Sequence, residues 1–261
     1  MAVLTELFSL QGRVILVTGG YGHLGRAICK GLAEHGAHVF VPGRSRETFR
    51  ATFRDEAPAI DFVDVDLRST PPIAAGFRKV YETTGRIDVL VNNAFYSRGQ
   101  SPEALDDADW AYGVDGTLGS AYRCIREVLP YMKTNGRGKI INVASMYGVA
   151  SPDFRVYAEH PSFLNPPHYG AAKAGLIQLT RYFGVYLARQ NIQVNAVSPG
   201  PFPSDDVAQN TSFVKTLASR VPMGRTGHPD ELKGVFVFLA SDASSFMTGQ
   251  NLTVDGGWTA V

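Results

Sequence analysis

The sequence has little of what would send a protein to a membrane, an oxidising compartment or a polyanion. Two cysteines, Cys29 and Cys124, in 261 residues make neither a disulfide framework nor a metal cluster. Both lie in helix-like stretches and read as reduced, buried thiols. No charge predominates: 25 basic against 24 acidic residues give +1 at pH 7, so no global field selects nucleic acid or an anionic membrane. The longest apolar runs are strand-length, far short of the roughly 20 residues a membrane span needs. Residues 1–12 lack the basic start and long apolar run of a secretory signal. A cytoplasmic, one-domain protein is expected, with the 44% hydrophobic content and 27 glycines of an ordinary α/β domain.

Apolar β-rich runs alternate with amphipathic stretches. Strands are expected at Arg13–Thr18, His38–Val41, near Ile60–Val63, and at Ile87–Asn92, Lys139–Val143, Gln193–Val197 and Asn251–Val254. The second is expected to stop before Pro42-Gly43. Leu24, Ala27, Ile28, Gly31 and Leu32 fall on one face of a first helix. Pro71-Pro72 marks the start of another over Ile73–Thr83. Asp109–Lys133 reads as one long helix ending at Asn135-Gly136. Strands that are apolar throughout need both faces covered, which predicts a parallel sheet with helices on each side and right-handed crossovers, a doubly wound (Rossmann) α/β fold. Two loops follow strands, Gly148–Pro167 and Pro201–Ser212. They lie where the ligand crevice of such a sheet opens, as an active-site loop over 148–167 and a lid over 201–219.

Thr18-Gly19-Gly20-Tyr21-Gly22-His23-Leu24-Gly25 closes the first strand and opens the first helix. Glycines there let the chain turn sharply against a pyrophosphate, which the helix N-terminus holds with its free N–H groups and dipole. Gly19, Tyr21, Gly22, His23, Leu24 and Gly25 are therefore candidate cofactor contacts. An Asp or Glu at the end of the second strand would accept from the ribose of NAD, whereas an Arg suits the 2′-phosphate of NADP. The sequence reads Pro42-Gly43-Arg44-Ser45-Arg46, a cradle for a dianionic phosphate, which favours NADP with NAD second. Asp64 is a candidate acceptor for the adenine amino group. Asn92-Asn93-Ala94 would bring small residues and backbone polar groups to the cofactor ribose.

Tyr169-Gly170-Ala171-Ala172-Lys173 sets a phenol and an ammonium four residues apart on one helix face. A phenol with an ordinary pKa near 10 is a poor base, and a neighbouring cation stabilises its phenolate. Ser145 follows the fifth strand, where its hydroxyl can donate to a substrate carbonyl oxygen.

With these pieces in order, the chain resembles the short-chain dehydrogenase/reductase superfamily, in its short single-domain branch, over nearly its whole length. The matching segments are the glycine turn, Asp64-Val65, Asn92-Asn93-Ala94, Ser145, Tyr169 with Lys173, and Asn195-Ala196-Val197-Ser198-Pro199-Gly200. The tail Phe238-Leu239-Ala240-Ser241 through Thr248-Gly249 to Val254-Asp255-Gly256-Gly257 also matches. The resemblance implies a seven-stranded parallel sheet, a nicotinamide cofactor, and a homotetramer or homodimer packed through the last strand and two long helices. It implies that Tyr169 is the acid/base, that Lys173 lowers its pKa and binds the nicotinamide ribose, and that Ser145 holds the substrate oxygen. Val65 joins the cofactor contacts, with Pro199, Gly200 and Ser204 at the carboxamide end.

The sequence departs from the family pattern at three places. His23 stands where the branch usually has glycine, so that Gly19, Gly22 and Gly25 are evenly spaced. Thr117 occupies the position of the Asn that holds a proton-relay water, with Asp115 a nearby substitute. The interval from Ser145 to Tyr169 is longer by about one loop of ten residues. The added segment, with Tyr157, Glu159, His160, Phe163, Asn165 and His168, is expected beside the substrate, where its polar and aromatic lining suits a hydroxylated molecule better than a long acyl chain.

The opening Leu7–Val14 is similar to that of gluconate and related sugar-acid dehydrogenases, which points to a secondary alcohol or ketone of the polyol, sugar or sugar-acid kind. A 3-ketoacyl thioester reductase is the enzymatic alternative. Its acidic carrier would want a basic patch at the mouth of the site, for which Arg155 is the one candidate. A non-catalytic NADP-binding regulator is the alternative from another class, supported by Thr117 and opposed by the Ser145, Tyr169, Lys173 set.

Overall fold

In the computed structural model, residues 3–54 and 59–261 are described. Seven strands form one parallel sheet: β1 (Val14–Thr18), β2 (His38–Gly43), β3 (Ile60–Asp64), β4 (Val89–Asn92), β5 (Gly138–Val143), β6 (Ile192–Pro199) and β7 (Asn251–Val254), in the order β3-β2-β1-β4-β5-β6-β7. The helices are α1 (Leu4–Leu7), α2 (His23–Glu34), α3 (Arg46–Thr52), α4 (Thr70–Thr84), α5 (Asp107–Val114), α6 (Ser120–Thr134), α7 (Pro167–Tyr186), α8 (Asp205–Ala208), α9 (Thr211–Arg220) and α10 (Lys233–Ala240).

Period-two geometry turns the apolar strands into a two-sided core. Ile15, Val17, Val89 and Val91 face one side, where Ile28 and Leu32 of α2 and Phe236 of α10 cover them. Leu16, Leu90, Ile140 and Val194 face the other, against Phe77 of α4 and Ile125 and Val128 of α6. Both cysteines are buried and neither is in a disulfide. Cys29 joins the first layer and Cys124 the second, where burial pushes the Cys124 thiol up to about 12. The sheet order reverses between β1 and β4, so a crevice opens beyond the C-terminal ends of the strands at that point.

Several boundaries move from those expected. β2 runs on through Pro42 and Gly43, which pair with Val63 and Asp64 of β3. Its other neighbour, β1, pairs only as far as Phe40, so the missing N–H of Pro42 falls on an open side where proline is tolerated. Pro71 and Pro72 lie within the first turn of α4 rather than before it, where their N–H groups would have had no intrahelical partner. The expected long helix is interrupted by a π-helical turn over Asp115–Gly119, which joins α5 to α6. The lid, expected as loop, carries α8 and α9. Asn210 caps α9 by accepting from the Phe213 N–H at 3.0 Å. Among the described residues no helix is long and apolar enough to cross a membrane.

Candidate active site

A cleft of about 640 Å³ follows the crevice from Arg44 and Arg68 past the glycine turn to Ser145 and Tyr169. Sites for small molecules commonly span roughly 300–1,000 Å³. At its centre Gly19 has a left-handed φ of 63°, open to glycine without steric cost. A Cβ on Gly25 would lie 2.1 Å from the Gly19 carbonyl oxygen, so the turn closes only around a residue without a side chain. Thr18 and Asn93 brace it from β1 and β4. The Asn93 amide donates to the Thr18 and Gly19 carbonyls at 3.0 Å each, and the Thr18 hydroxyl accepts from the Asn93 and Ala94 N–H groups. The Tyr21 hydroxyl accepts from the Arg44 N–H at 3.2 Å, which ties the turn to the end of β2.

The cleft gathers most of the residues expected there. Gly19, Tyr21, Gly22, His23, Leu24, Gly25, Arg44, Val65, Asn93, Ala94, Ser145, Tyr169, Lys173, Pro199, Gly200 and Ser204 all line it. Four others do not. The Ser45 side chain caps α3, accepting from the Thr48 N–H at 3.1 Å. Asp64 is exposed at the end of β3, while the next residues, Val65 to Arg68, turn into the cleft. Asn92 is buried behind it and donates to Asn142 at 2.9 Å, which donates to the Thr180 hydroxyl at 2.8 Å. Thr117 is buried inside the π-helical turn, because the wide turn draws it between the helices. Asp115 is held by both Arg123 and the Tyr96 hydroxyl, so neither relay candidate reaches the cleft wall.

Ser145 is buried at the end of β5, and its hydroxyl caps the following turn by accepting from the Tyr147 N–H at 3.1 Å. Tyr169 stands on the first turn of α7, edge-on to Phe95 at 5.7 Å. Burial pushes its phenol above the ordinary range, the Ser145 hydroxyl beside it pulls the other way, and Tyr157 adds to the rise. The downward shift expected from Lys173 is therefore not what this arrangement gives. Lys173 is itself buried and pushed down to about 7. Its Nζ lies 5.5 Å from the Tyr169 ring centroid and donates to the Val143 carbonyl at 2.6 Å.

His23 is partly buried at the start of α2, and its Nε2 is buried without a hydrogen-bond partner among the described residues. Burial lowers its pKa, with Asp205 of the lid opposing. From the long loop, Tyr157, Phe163 and Asn165 reach the cleft. His168 does not: it is fully buried and bonds the Arg98 carbonyl at 3.0 Å. His160 packs edge-on to Phe213 at 5.4 Å instead, and Glu159 also stays off the wall.

Sequence reading missed Asp66 and Arg68, an ion pair on the cleft wall just past β3. The spacing Asp66-x-Arg68 just past a strand end was the available signal. It also missed Tyr96, Tyr147 and Phe213, which have no local signature and arrive at the wall through tertiary packing.

Fold and site together define a nucleotide-dependent oxidoreductase class: a doubly wound sheet, a glycine turn at its switch point, and a hydroxyl, a phenol and an ammonium at the far end of one cleft. The family model described as enoyl-(acyl carrier protein) reductase matches residues 22–259. The rhamnolipid-biosynthesis 3-oxoacyl-[acyl-carrier-protein] reductase of Pseudomonas aeruginosa is 33% identical, over 96% of this chain and 98% of its own length. The gluconate 5-dehydrogenase of Gluconobacter oxydans is 32% identical, over 97% of each chain. A crystal structure of a gluconate 5-dehydrogenase from Burkholderia cenocepacia, in complex with NADP and tartrate, superposes with a TM-score of 0.88 at 32% identity, over 99% of this chain and 100% of that one. The chain belongs to the short-chain dehydrogenase/reductase family, and it is an NAD(P)-dependent oxidoreductase.

Proposed function

We propose that this protein interconverts a secondary alcohol and a ketone with NADP as cofactor and NAD as the weaker one. The carrying observation is the meeting of the Ser145 hydroxyl and the Tyr169 phenol in the cleft, beside a buried Lys173. When bound, the nicotinamide supplies or accepts the hydride. Ser145 donates a hydrogen bond to the substrate oxygen and fixes its position. Tyr169 gives that oxygen a proton in reduction and takes one in oxidation. Lys173, anchored on Val143, supplies positive charge beside the phenol as the proton leaves.

The residues present fit a dinucleotide. The turn is closed by glycines that a Cβ would obstruct, the N-terminus of α2 faces the cleft, and Arg44 and Arg68 stand at its far end. No acid follows β2 before Glu47, which supports NADP over NAD. Arg44 is the phosphate contact in this reading, since the Ser45 hydroxyl is engaged by Thr48 and the Arg68 guanidinium by the Asp66 carboxylate.

A polyol, sugar or sugar acid is the substrate class proposed, supported by the relatives named gluconate 5-dehydrogenase. The ketoacyl thioester reading is supported by the relative from Pseudomonas aeruginosa. Against it, Arg155 is paired with Asp153 and lies outside the cleft wall. NADPH oxidation over a panel of ketones tests the proposal: turnover that survives Tyr169→Phe unchanged would sink it.

We also propose self-association in the cytoplasm. Tyr182, Val185 and Tyr186 on α7 and Tyr122 on α6 are exposed apolar side chains, the kind of patch a second copy covers. Sedimentation of Val185→Glu tests this; a mass equal to that of the wild type, whether both are monomers or both are oligomers, would count against α7 as the contact.

A further inference from the structure

The cleft divides by charge. His23, Arg44, Asp66 and Arg68 line the part nearest the glycine turn and the ends of β2 and β3, and Lys173 is held by the Val143 carbonyl. Beside Tyr169 the nearby charged group is Lys173, 5.5 Å from the ring and engaged by Val143, whereas the walls that come from the long loop and the lid carry no charged side chain among the described residues. Phe163 and Phe213 stack at 4.4 Å with 18° between their planes, a flat apolar platform.

Beside that platform lies a short polar chain. The Tyr147 and Tyr157 hydroxyls are 2.6 Å apart, and the Asn165 amide donates to the Tyr157 oxygen at 3.1 Å. Two hydroxyls carry two protons, and their mutual bond uses one. Whichever phenol donates within the pair, the other keeps a proton that no further described acceptor takes. Burial pushes the Tyr147 phenol far up, with Tyr157 the next cause, so this end of the chain stays a neutral donor. Tyr147, Tyr157 and Asn165 all line the cleft, and a buried O–H without an acceptor is costly to leave unmade.

We propose that Tyr147, Tyr157 and Asn165 form a recognition point for a second, uncharged oxygen of the substrate, while Phe163 and Phe213 take the apolar face of its ring. The substrate class is then a neutral, ring-bearing hydroxyketone or diol. A carboxylate here would lose its water with no cation to replace it. The inference rests on the dehydrogenase reading above and narrows its substrate class to the uncharged members.

Initial rates with NADPH on cyclohexanone, 4-hydroxycyclohexanone, 4-oxocyclohexanecarboxylate and 5-ketogluconate test it. The hydroxyketone should exceed cyclohexanone in kcat/KM by about fivefold, the worth of one neutral hydrogen bond, and should exceed both carboxylates by more. Tyr157→Phe should erase the advantage over cyclohexanone through KM for the hydroxyketone, and Asn165→Leu should reduce it in the same way. A carboxylate reduced as well as the hydroxyketone, or an advantage untouched in both variants, would overturn the proposal. Calorimetric binding of trans-1,4-cyclohexanediol and cyclohexanol to the NADPH-loaded protein, a dead-end pairing of reduced cofactor with alcohol, reads the same preference without turnover. Preference for the diol with no turnover of any ketone would keep the recognition point and remove the dehydrogenase reading; equal binding would remove the recognition point.

Discussion

The Lys173 Nζ and the Val143 carbonyl oxygen are 2.6 Å apart, which fastens the buried end of α7 to the last residue of β5. A neutral amine and an ammonium both make this bond, so the site tolerates loss of the proton. Burial holds the Lys173 ammonium down to about 7 and the Lys139 ammonium down to about 8. In the unfolded chain both release their protons near 10.4. Between these values the unfolded state binds more protons, so each lysine makes stability rise with pH. Cys124, raised to about 12, acts oppositely above about 8.5. Urea midpoints of the wild type and Lys173→Met between pH 6 and pH 10 isolate the first contribution. The variant should gain on the wild type at pH 6 and lose that gain by pH 10. A difference independent of pH would refute the buried-ammonium account.

Tyr169→Phe removes the group proposed to give the substrate oxygen its proton. General acid–base groups contribute about 10²–10⁴-fold, and a loss of kcat in that range is expected. NADPH affinity, read by fluorescence titration, should change by no more than about fivefold, the worth of one neutral hydrogen bond. A variant that instead fails to bind NADPH would recast Tyr169 as a cofactor anchor.

Arg44 lines the cleft where β2 ends, with its backbone N–H tied to Tyr21. A charge-assisted bond is worth about 1.5–3 kcal/mol, or about ten- to a hundredfold. Arg44→Ala should weaken NADPH by that factor and NADH little. Equal losses for the two would place the 2′-phosphate elsewhere, with Arg68→Ala the next variant to titrate.

Gly25→Ala sets a methyl 2.1 Å from the Gly19 carbonyl, a backbone atom that cannot swing aside. The turn must open, at a cost of about 1–3 kcal/mol. A lower Tm and NADPH binding weakened by at least about tenfold are expected. Wild-type binding with an unchanged Tm would mean that the turn is pliant.

The sheet was legible because a strand buried on both faces has to be apolar throughout, as in Ile15-Leu16-Val17 and Val89-Leu90-Val91. The glycine turn was legible because a strand and a helix flank it, and Tyr169 and Lys173 because their four-residue spacing came together with the resemblance to the family. The lid helices were less so. The Asn210 cap and the Phe213/Leu217 pair, four residues apart, were a usable signal for α9, outweighed by the Pro201 and Pro203 that precede it. Thr117 was read from its place in a family pattern, seven residues after Trp110, and its burial within the π-helical turn had no signature in that spacing. The rise that burial gives the Tyr169 phenol was not legible, because desolvation is a property of the whole cleft, which no spacing encodes.

The wide turn over Asp115–Gly119 bears on how this chain tolerates changes of length. An i→i+5 turn holds one residue more than an α-helical turn, and each residue rotates a helix by about 100°. Losing one residue there would close the turn to an α-helical one with the flanking faces kept. Adding one would overfill it and swing Trp110 and Tyr112 around the axis relative to α6. Tyr112 would leave the cleft wall that it now lines. In this segment the reading frame of the helix is part of the active-site geometry, so a one-residue insertion that a surface loop would absorb would here be a functional lesion.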